Sequence, residues 1–228
     1  MAADTQLLAA IRDGLRTAAV SERAPQMQAY MKSAMSFRGV RVPEVRAITL
    51  AAAKAHPFGS PDALRESVLA LWRDARFREE RYAATALLDV PNARRVRTPE
   101  LLDTCRELIV TGAWWDHVDE LAHRVGELLA DWPGDIRAQL VGWTSDDDPW
   151  LRRASIICQL GRRDDTDLDL LGIAIEANLA HRDFFIRKAI GWALRDYART
   201  DANWVRALVA ARGDQLSALS RREALKHL

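Results

Sequence analysis

Apolar positions along the chain recur at three- and four-residue intervals and almost nowhere alternate. The stretches PDALRESVLALWRDA (61–75), ERYAATALLDV (80–90), TPELLDTCRELIV (98–110) and LDLLGIAIEANLA (168–180) each carry one apolar stripe, the period of an amphipathic helix. Helix starts are marked in the sequence. Ser60-Pro61, Thr98-Pro99 and Asp148-Pro149 each set a capping side chain before a proline at the first helical position, and Val42-Pro43-Glu44 opens another helix with a proline and an early acid. No segment alternates with period two for long enough to form a strand. The linkers are short, so successive helices are expected to pack as antiparallel neighbours. The fold class is all-α.

The pattern also repeats. Arg152, Arg187 and Arg222 stand 35 residues apart, as do Ala154, Ala189 and Ala224, in the segments LRRASI, IRKAIG and RREALK. Basic residues precede a small residue that lets a neighbouring helix approach. This period fits two helices plus turns, as in stacked helical hairpins, and the aromatic pattern of tetratricopeptide repeats is absent. The expected architecture is a curved right-handed solenoid of HEAT-like antiparallel helix pairs, one domain over residues 1–228, with a concave face available as a binding groove.

Two helices depart from a plain amphipathic pattern. From TGAWWDHVDELAHRV (111–125) into the residues that follow it, Trp114, Val118, Leu121, Val125 and Leu128 form the expected core stripe. Trp115 and Asp119 lie four apart on another face, and Asp116 sits where its charge favours the helix N-terminus. A tryptophan that flanks a core beside a solvated carboxylate is a common arrangement, so the pair by itself does not require a function. His117 reads as a helix surface residue. In RDFFIRKAIGWALRDYAR (182–199), Phe185, Ile186, Ala189, Ile190, Ala193 and Tyr197 make the core stripe, Trp192 lies on its shoulder, and Lys188 and Arg195 point toward the polar face. An indole flanked by cations suits nucleic acid, where phosphate and ring contacts cooperate; it also suits a boundary tryptophan with solvated neighbours. Of Arg152 and Arg153, one is expected to stabilise the repeat and the other to point into the groove.

Composition adjusts this picture in three places. Apolar residues make up 49% of the 228, enough for a large core. The formal charge is only +1, yet the segment from His181 onward carries +5 and the rest of the chain −4, which permits a polyanion at one surface. Cys105 and Cys158 fall in apolar stretches and read as buried thiols of a reducing compartment. The N-terminal stretch lacks the basic and apolar pattern of a secretion signal, and no apolar run reaches the length of a membrane span. The expectation is a cytoplasmic protein with no membrane contact.

Several separated motifs, WWDHVDELA, PWLRRASI, FFIRKAIGWALRDYA and the closing LSRREALKHL, with AYMKSAMSFRGVRVPEVR before them, resemble the HEAT-like-repeat alkylpurine DNA glycosylases of the AlkD type. The resemblance runs from about residue 25 to the end and keeps the family's order. It implies a monomeric helical solenoid that grips duplex DNA containing alkylated purines on a basic concave face. It also implies excision of N3- and N7-alkylated purines without base flipping, unlike the extrusion usual for glycosylases. By position, the catalytic aspartate falls on Asp119, the two groove tryptophans on Trp115 and Trp192, the arginine on Arg153, and a tyrosine on Tyr30. Arg152, Lys188, Arg195, Arg187 and Arg222 complete the basic set expected to meet DNA.

The chemistry suits these residue types. A purine alkylated at N3 or N7 already carries positive charge and leaves without protonation. What remains is to stabilise an oxocarbenium-like sugar and to place a water, and one carboxylate can do both. Paired carboxylates, as in ordinary glycoside hydrolysis, are then unnecessary. Trp115 and Trp192 would offer electron-rich faces to the cationic nucleotide, worth about 0.5–2 kcal/mol per ring. Arg153 would grip a phosphate beside the lesion. No cofactor is called for. Two rival readings stand beside this one. The first is a non-catalytic HEAT-repeat scaffold for DNA or protein. The second is a metal site from Asp116, Asp119 and His123, which one helix supplies with few ligands and without an HExxH pair.

Overall fold

The computed structural model describes residues 3–228. Among the described residues there are α-helices and short 3-10 turns but no strand, only an isolated bridge between Ser36 and Phe77. The all-α expectation holds. The chain divides into two compact units, one ending at Thr104 and the other beginning at Cys105.

The first unit contains α1 (Thr5–Thr17), α2 (Ala24–Met31), α3 (Val42–Ala55), α4 (Pro61–Arg73), α5 (Arg78–Leu87) and α6 (Pro91–Val96). Helix α5 packs against α3 and α4, and α1 against α3. Leu7, Ile11, Leu15, Val45, Val68, Leu71, Trp72 and Leu87 form the core, and Ser60 caps α4 through the backbone amide of Ala63, as its Ser-Pro signal predicts. The sequence gives no warning of the acidic clamp at the start of α5. Glu79 is fully buried and accepts hydrogen bonds from the backbone amides of Arg38, Gly39 and Val40 at 2.8–3.1 Å. A carboxylate thereby does what a neighbouring strand would do for extended backbone: it satisfies amides that burial would otherwise leave unpaired. Gly39 in that segment has φ +82°, and a Cβ there would strike the Val20 carbonyl oxygen, so only glycine fits.

Helix α7 (Leu101–Gly112) crosses the boundary between the units. It starts two residues later than Thr98-Pro99 suggests, because residues 98–100 form a tighter turn in which Leu101 and Leu102 bond back to the carbonyls of Thr98 and Pro99. The second unit continues with α8 (Trp115–Asp131), α9 (Pro133–Trp143), α10 (Pro149–Ile157), α11 (Leu168–Glu176), α12 (Phe184–Tyr197), α13 (Ala202–Arg212) and α14 (Ala218–Ala224). Helices α8, α10, α12 and α14 pack in sequence as one row; α9 packs on α8, α10 and α11, and α13 packs on α12. These are stacked helix pairs.

The 35-residue period is physical. Asp148 caps α10 and Asp183 caps α12 in the same way, each carboxylate accepting from the amides two and three residues on. Arg152 Nε donates to the carbonyl of Asp146, and Arg187 Nε to that of His181, each six residues back. Ala154, Ala189 and Ala224 are all fully buried. The third copy departs from the pattern at Arg222, which is exposed.

The row is held close by glycines. A Cβ at Gly126 of α8 would lie 1.9 Å from the carbonyl oxygen of Cys158, and one at Gly191 of α12 would lie 2.5 Å from Glu223 Cβ. We expect Gly126→Ala to destabilise the protein by about 3 kcal/mol, since backbone rather than a mobile side chain would have to move; urea unfolding checks this. Both cysteines are buried and unbridged, and burial pushes each thiol up to about 12. No helix among the described residues is long and apolar enough to cross a membrane.

Candidate active site

The site is built on the row of the second unit, at the ends of α8, α10 and α12. Helix α7 stops at Gly112, Ala113 turns the chain at φ +40°, and Trp114 is extended (φ −153°, ψ 147°) as the residue before α8. Trp114 is therefore not the first member of the helical core stripe that the spacing predicts. It is half-buried, and its ring lies 6.2 Å from that of Trp150 and 5.6 Å from that of Phe185. Val118, Leu121, Val125 and Leu128 do form the core stripe. His117, expected on the surface, is fully buried, because α8 is sandwiched by α9 and α10 and buries a face wider than one stripe.

Trp115 opens α8 and is half-buried, as the off-stripe position predicts. Asp119 lies one turn further on, with its side chain 19% exposed. Arg153 of α10 reaches it with a two-pronged contact. Nε donates to Oδ1 at 2.7 Å and Nη2 to Oδ2 at 2.9 Å, while Nη1 donates to the backbone carbonyl of Phe185 at 2.7 Å. The planar fork suits a carboxylate, and the third contact fixes the fork against the first turn of α12. The Arg153 side chain is only 4% exposed, and its guanidinium lies 6.0 Å from the Trp192 ring and 5.9 Å from that of Phe185. A buried cation thus holds one partly exposed carboxylate in a fixed orientation amid aromatic rings.

This placement differs from the expectation that Arg153 grips a phosphate. Its donors face Asp119 and the Phe185 carbonyl inside the protein. Arg152, one residue earlier, is the repeat-stabilising arginine: besides Asp146 it bonds the Ser145 carbonyl and Asn178. Trp192 is half-buried next to Arg153, on the shoulder where the helical wheel puts it. Lys188 and Arg195 flank it on α12 and converge on Glu223 of α14, at 2.9 Å and 2.5 Å. Arg187 is turned back to His181, and Arg222 is exposed. Tyr30 belongs to α2 of the first unit and is 73% exposed. Of the proposed metal ligands, Asp116 accepts from the His117 amide, His123 is exposed, and both Asp119 oxygens face the guanidinium, an arrangement that suits a cationic side chain rather than a metal ion.

The Glu223 contact has a pH signature. The hydrogen bond from Lys188 holds its carboxyl below the usual range; partial desolvation opposes this, and the charges of Lys188, Arg195 and Lys226 add to it. A depressed folded pKa stabilises the fold above the ordinary carboxylate pKa, and that stabilisation fades as pH falls through the lower folded value. We expect Glu223→Gln to lower the melting temperature at neutral pH and to flatten the acid limb of a melting-temperature profile.

Sequence reasoning missed the Asp119–Arg153 pair, although a signal was present. The two residues are 34 apart, one short of the repeat, which sets them at the same level on adjacent helices of the row. The two phenylalanines at the start of α12 were also missed: Phe185, read as core, is half-buried, and Phe184 is exposed.

The DNA alkylation repair enzyme family model matches residues 11–228. A solved structure, a predicted DNA alkylation repair enzyme from Enterococcus faecalis, is 31% identical, with a TM-score of 0.80 over 91% of this chain and 95% of that one. No curated protein matches. A family match over nearly the whole chain, a solved relative 31% identical over most of both chains, and an anchored carboxylate in a cationic and aromatic setting lead to one assignment: the chain belongs to the DNA alkylation repair enzyme family.

Proposed function

We propose that the protein is a DNA glycosylase that releases N3- and N7-alkylated purines from duplex DNA by hydrolysing the N-glycosidic bond. The supporting observation is Asp119, partly exposed and held at both oxygens by the buried Arg153. In this reading the whole chain acts as one curved, right-handed HEAT-like array and as a monomer, with the lesion left unflipped against the second unit.

Asp119 faces the sugar of the damaged nucleotide. As the cationic base departs, the carboxylate stabilises the positive charge that develops on the sugar and accepts a proton from the attacking water. The base leaves as a neutral purine, the water oxygen bonds to the anomeric carbon, and an abasic site remains. Arg153 fixes the carboxylate so that little reorganisation accompanies the reaction. Trp115 and Trp192 present ring faces to the nucleotide. Lys188, Arg195 and the exposed Arg222 supply phosphate contacts, Lys188 and Arg195 by sharing their donors with Glu223, and Tyr30 contacts DNA from the first unit. Arg152 and Arg187 contribute positive potential while stapling the repeat.

Incubating the protein with duplex DNA that carries a single N7-methylguanine, and assaying for free base and for alkali-labile strand cleavage, tests the proposal. Release above the spontaneous rate is expected. DNA binding without release would favour a non-catalytic scaffold.

A further inference from the structure

The second unit exposes an aromatic side chain that the mechanism above does not use. Phe184 is 57% exposed, the most exposed large apolar side chain of that unit. A ring left in water forgoes the stabilisation that burial would give, so its position calls for a cause. Flexibility is not the cause. Phe184 is the first residue of α12, and Asp183 fixes that turn by accepting from the amides of Phe185 and Ile186 at 2.7 Å and 3.1 Å. Its ring stands edge-on to Phe185 at 5.4 Å; Phe185 packs on Trp150 at 5.0 Å, and Trp150 on Trp114 at 6.2 Å. The exposed ring is thus the outer end of a four-ring ladder, braced from behind.

The ladder is also tied to the carboxylate. The Phe185 carbonyl takes the third donor of Arg153, whose other two donors hold Asp119. One peptide separates that anchored carbonyl from Phe184. The segment is basic: Arg182, two residues before Phe184, is exposed, and the stretch from His181 onward, with Asp183 and Glu223 counted, carries a net +5. A lone exposed ring in a basic segment suits a nucleotide, which offers an apolar sugar or base face beside a phosphate, better than it suits an apolar protein surface.

We infer that Phe184 contacts the sugar or base of a DNA nucleotide at the Asp119 site and sets the position of the strand there. This inference rests on the DNA reading of the site but not on excision itself. The test measures affinity of the wild type, Phe184→Ala and Phe184→Tyr for a duplex holding a tetrahydrofuran abasic analogue and for an undamaged duplex, together with single-turnover release of N7-methylguanine. Phe184→Ala should weaken binding of the analogue duplex about tenfold, as loss of one ring contact does. Phe184→Tyr should restore binding, and the thermal melt of both variants should match that of the wild type. Unchanged affinity in Phe184→Ala, with normal excision by the wild type, overturns the inference and leaves the glycosylase reading standing. Lost affinity in Phe184→Ala, with no excision by the wild type, sustains the inference and removes the glycosylase reading. Equal loss in Phe184→Ala and Phe184→Tyr overturns the inference, and a wild type that binds neither duplex overturns both.

Discussion

Asp119→Asn should lower the single-turnover rate on N7-methylguanine duplex by about a hundredfold or more, the loss typical of a removed general base or charge stabiliser. DNA affinity should change little, because the amide has nearly the carboxylate's shape. The structure adds a second expectation. Asp119 is the counter-charge of Arg153, whose side chain is 4% exposed. The asparagine variant leaves that cation without its partner, so its melting temperature should fall as well, and circular dichroism at the assay temperature separates the two effects. A folded Asp119→Asn that excises at the wild-type rate would falsify the catalytic assignment.

Arg153→Ala should have the larger effect on stability. It leaves the Asp119 carboxylate and the Phe185 carbonyl without their shared donors, and removing one partner of a buried pair costs about 3–5 kcal/mol. Arg153→Lys is the more informative variant. It keeps the charge, but a lysine cannot meet both Asp119 oxygens and the carbonyl with a planar fork. The fold should survive in part while excision falls by up to about a hundredfold, the cost of a displaced reacting group. The salt dependence of DNA binding decides between two roles for this arginine. With the guanidinium facing inward, the slope of log affinity against log salt should match the wild type. A slope shallower by about one would mean that Arg153 contacts a phosphate.

Helix class, most starts and the 35-residue period were legible because they depend on local chemistry. A carboxylate before a proline caps wherever it occurs, and Asp148 does so here. An alanine that must admit a neighbouring helix is buried in every copy of the repeat, as Ala154, Ala189 and Ala224 are. Asp119 and Trp192 stood out for the same reason, since a helical wheel shows which residues leave the core stripe. Partners across helices were not legible. Arg152 and Arg153 are adjacent and identical in type, and only packing turns one toward the loop at 145–146 and the other toward Asp119. The wheel placed Trp114 in the core because it assumed a helix where the chain is extended. Lys188 and Arg195 lie beside Trp192 on α12, and the acid that meets them comes from α14, more than 25 residues away. Glu79 was invisible as a clamp, since the amides it satisfies are nearly 40 residues earlier in the chain.

The proposed mechanism needs only one anchored carboxylate because the leaving base is already cationic. It is tested most directly by comparing single-turnover base release from matched duplexes that carry N7-methylguanine or a neutral lesion such as uracil. Free 7-methylguanine and an abasic site are expected from the first duplex, and release from the second no faster than without protein. Release of the neutral base at a comparable rate, or no release of 7-methylguanine above spontaneous depurination, would contradict it.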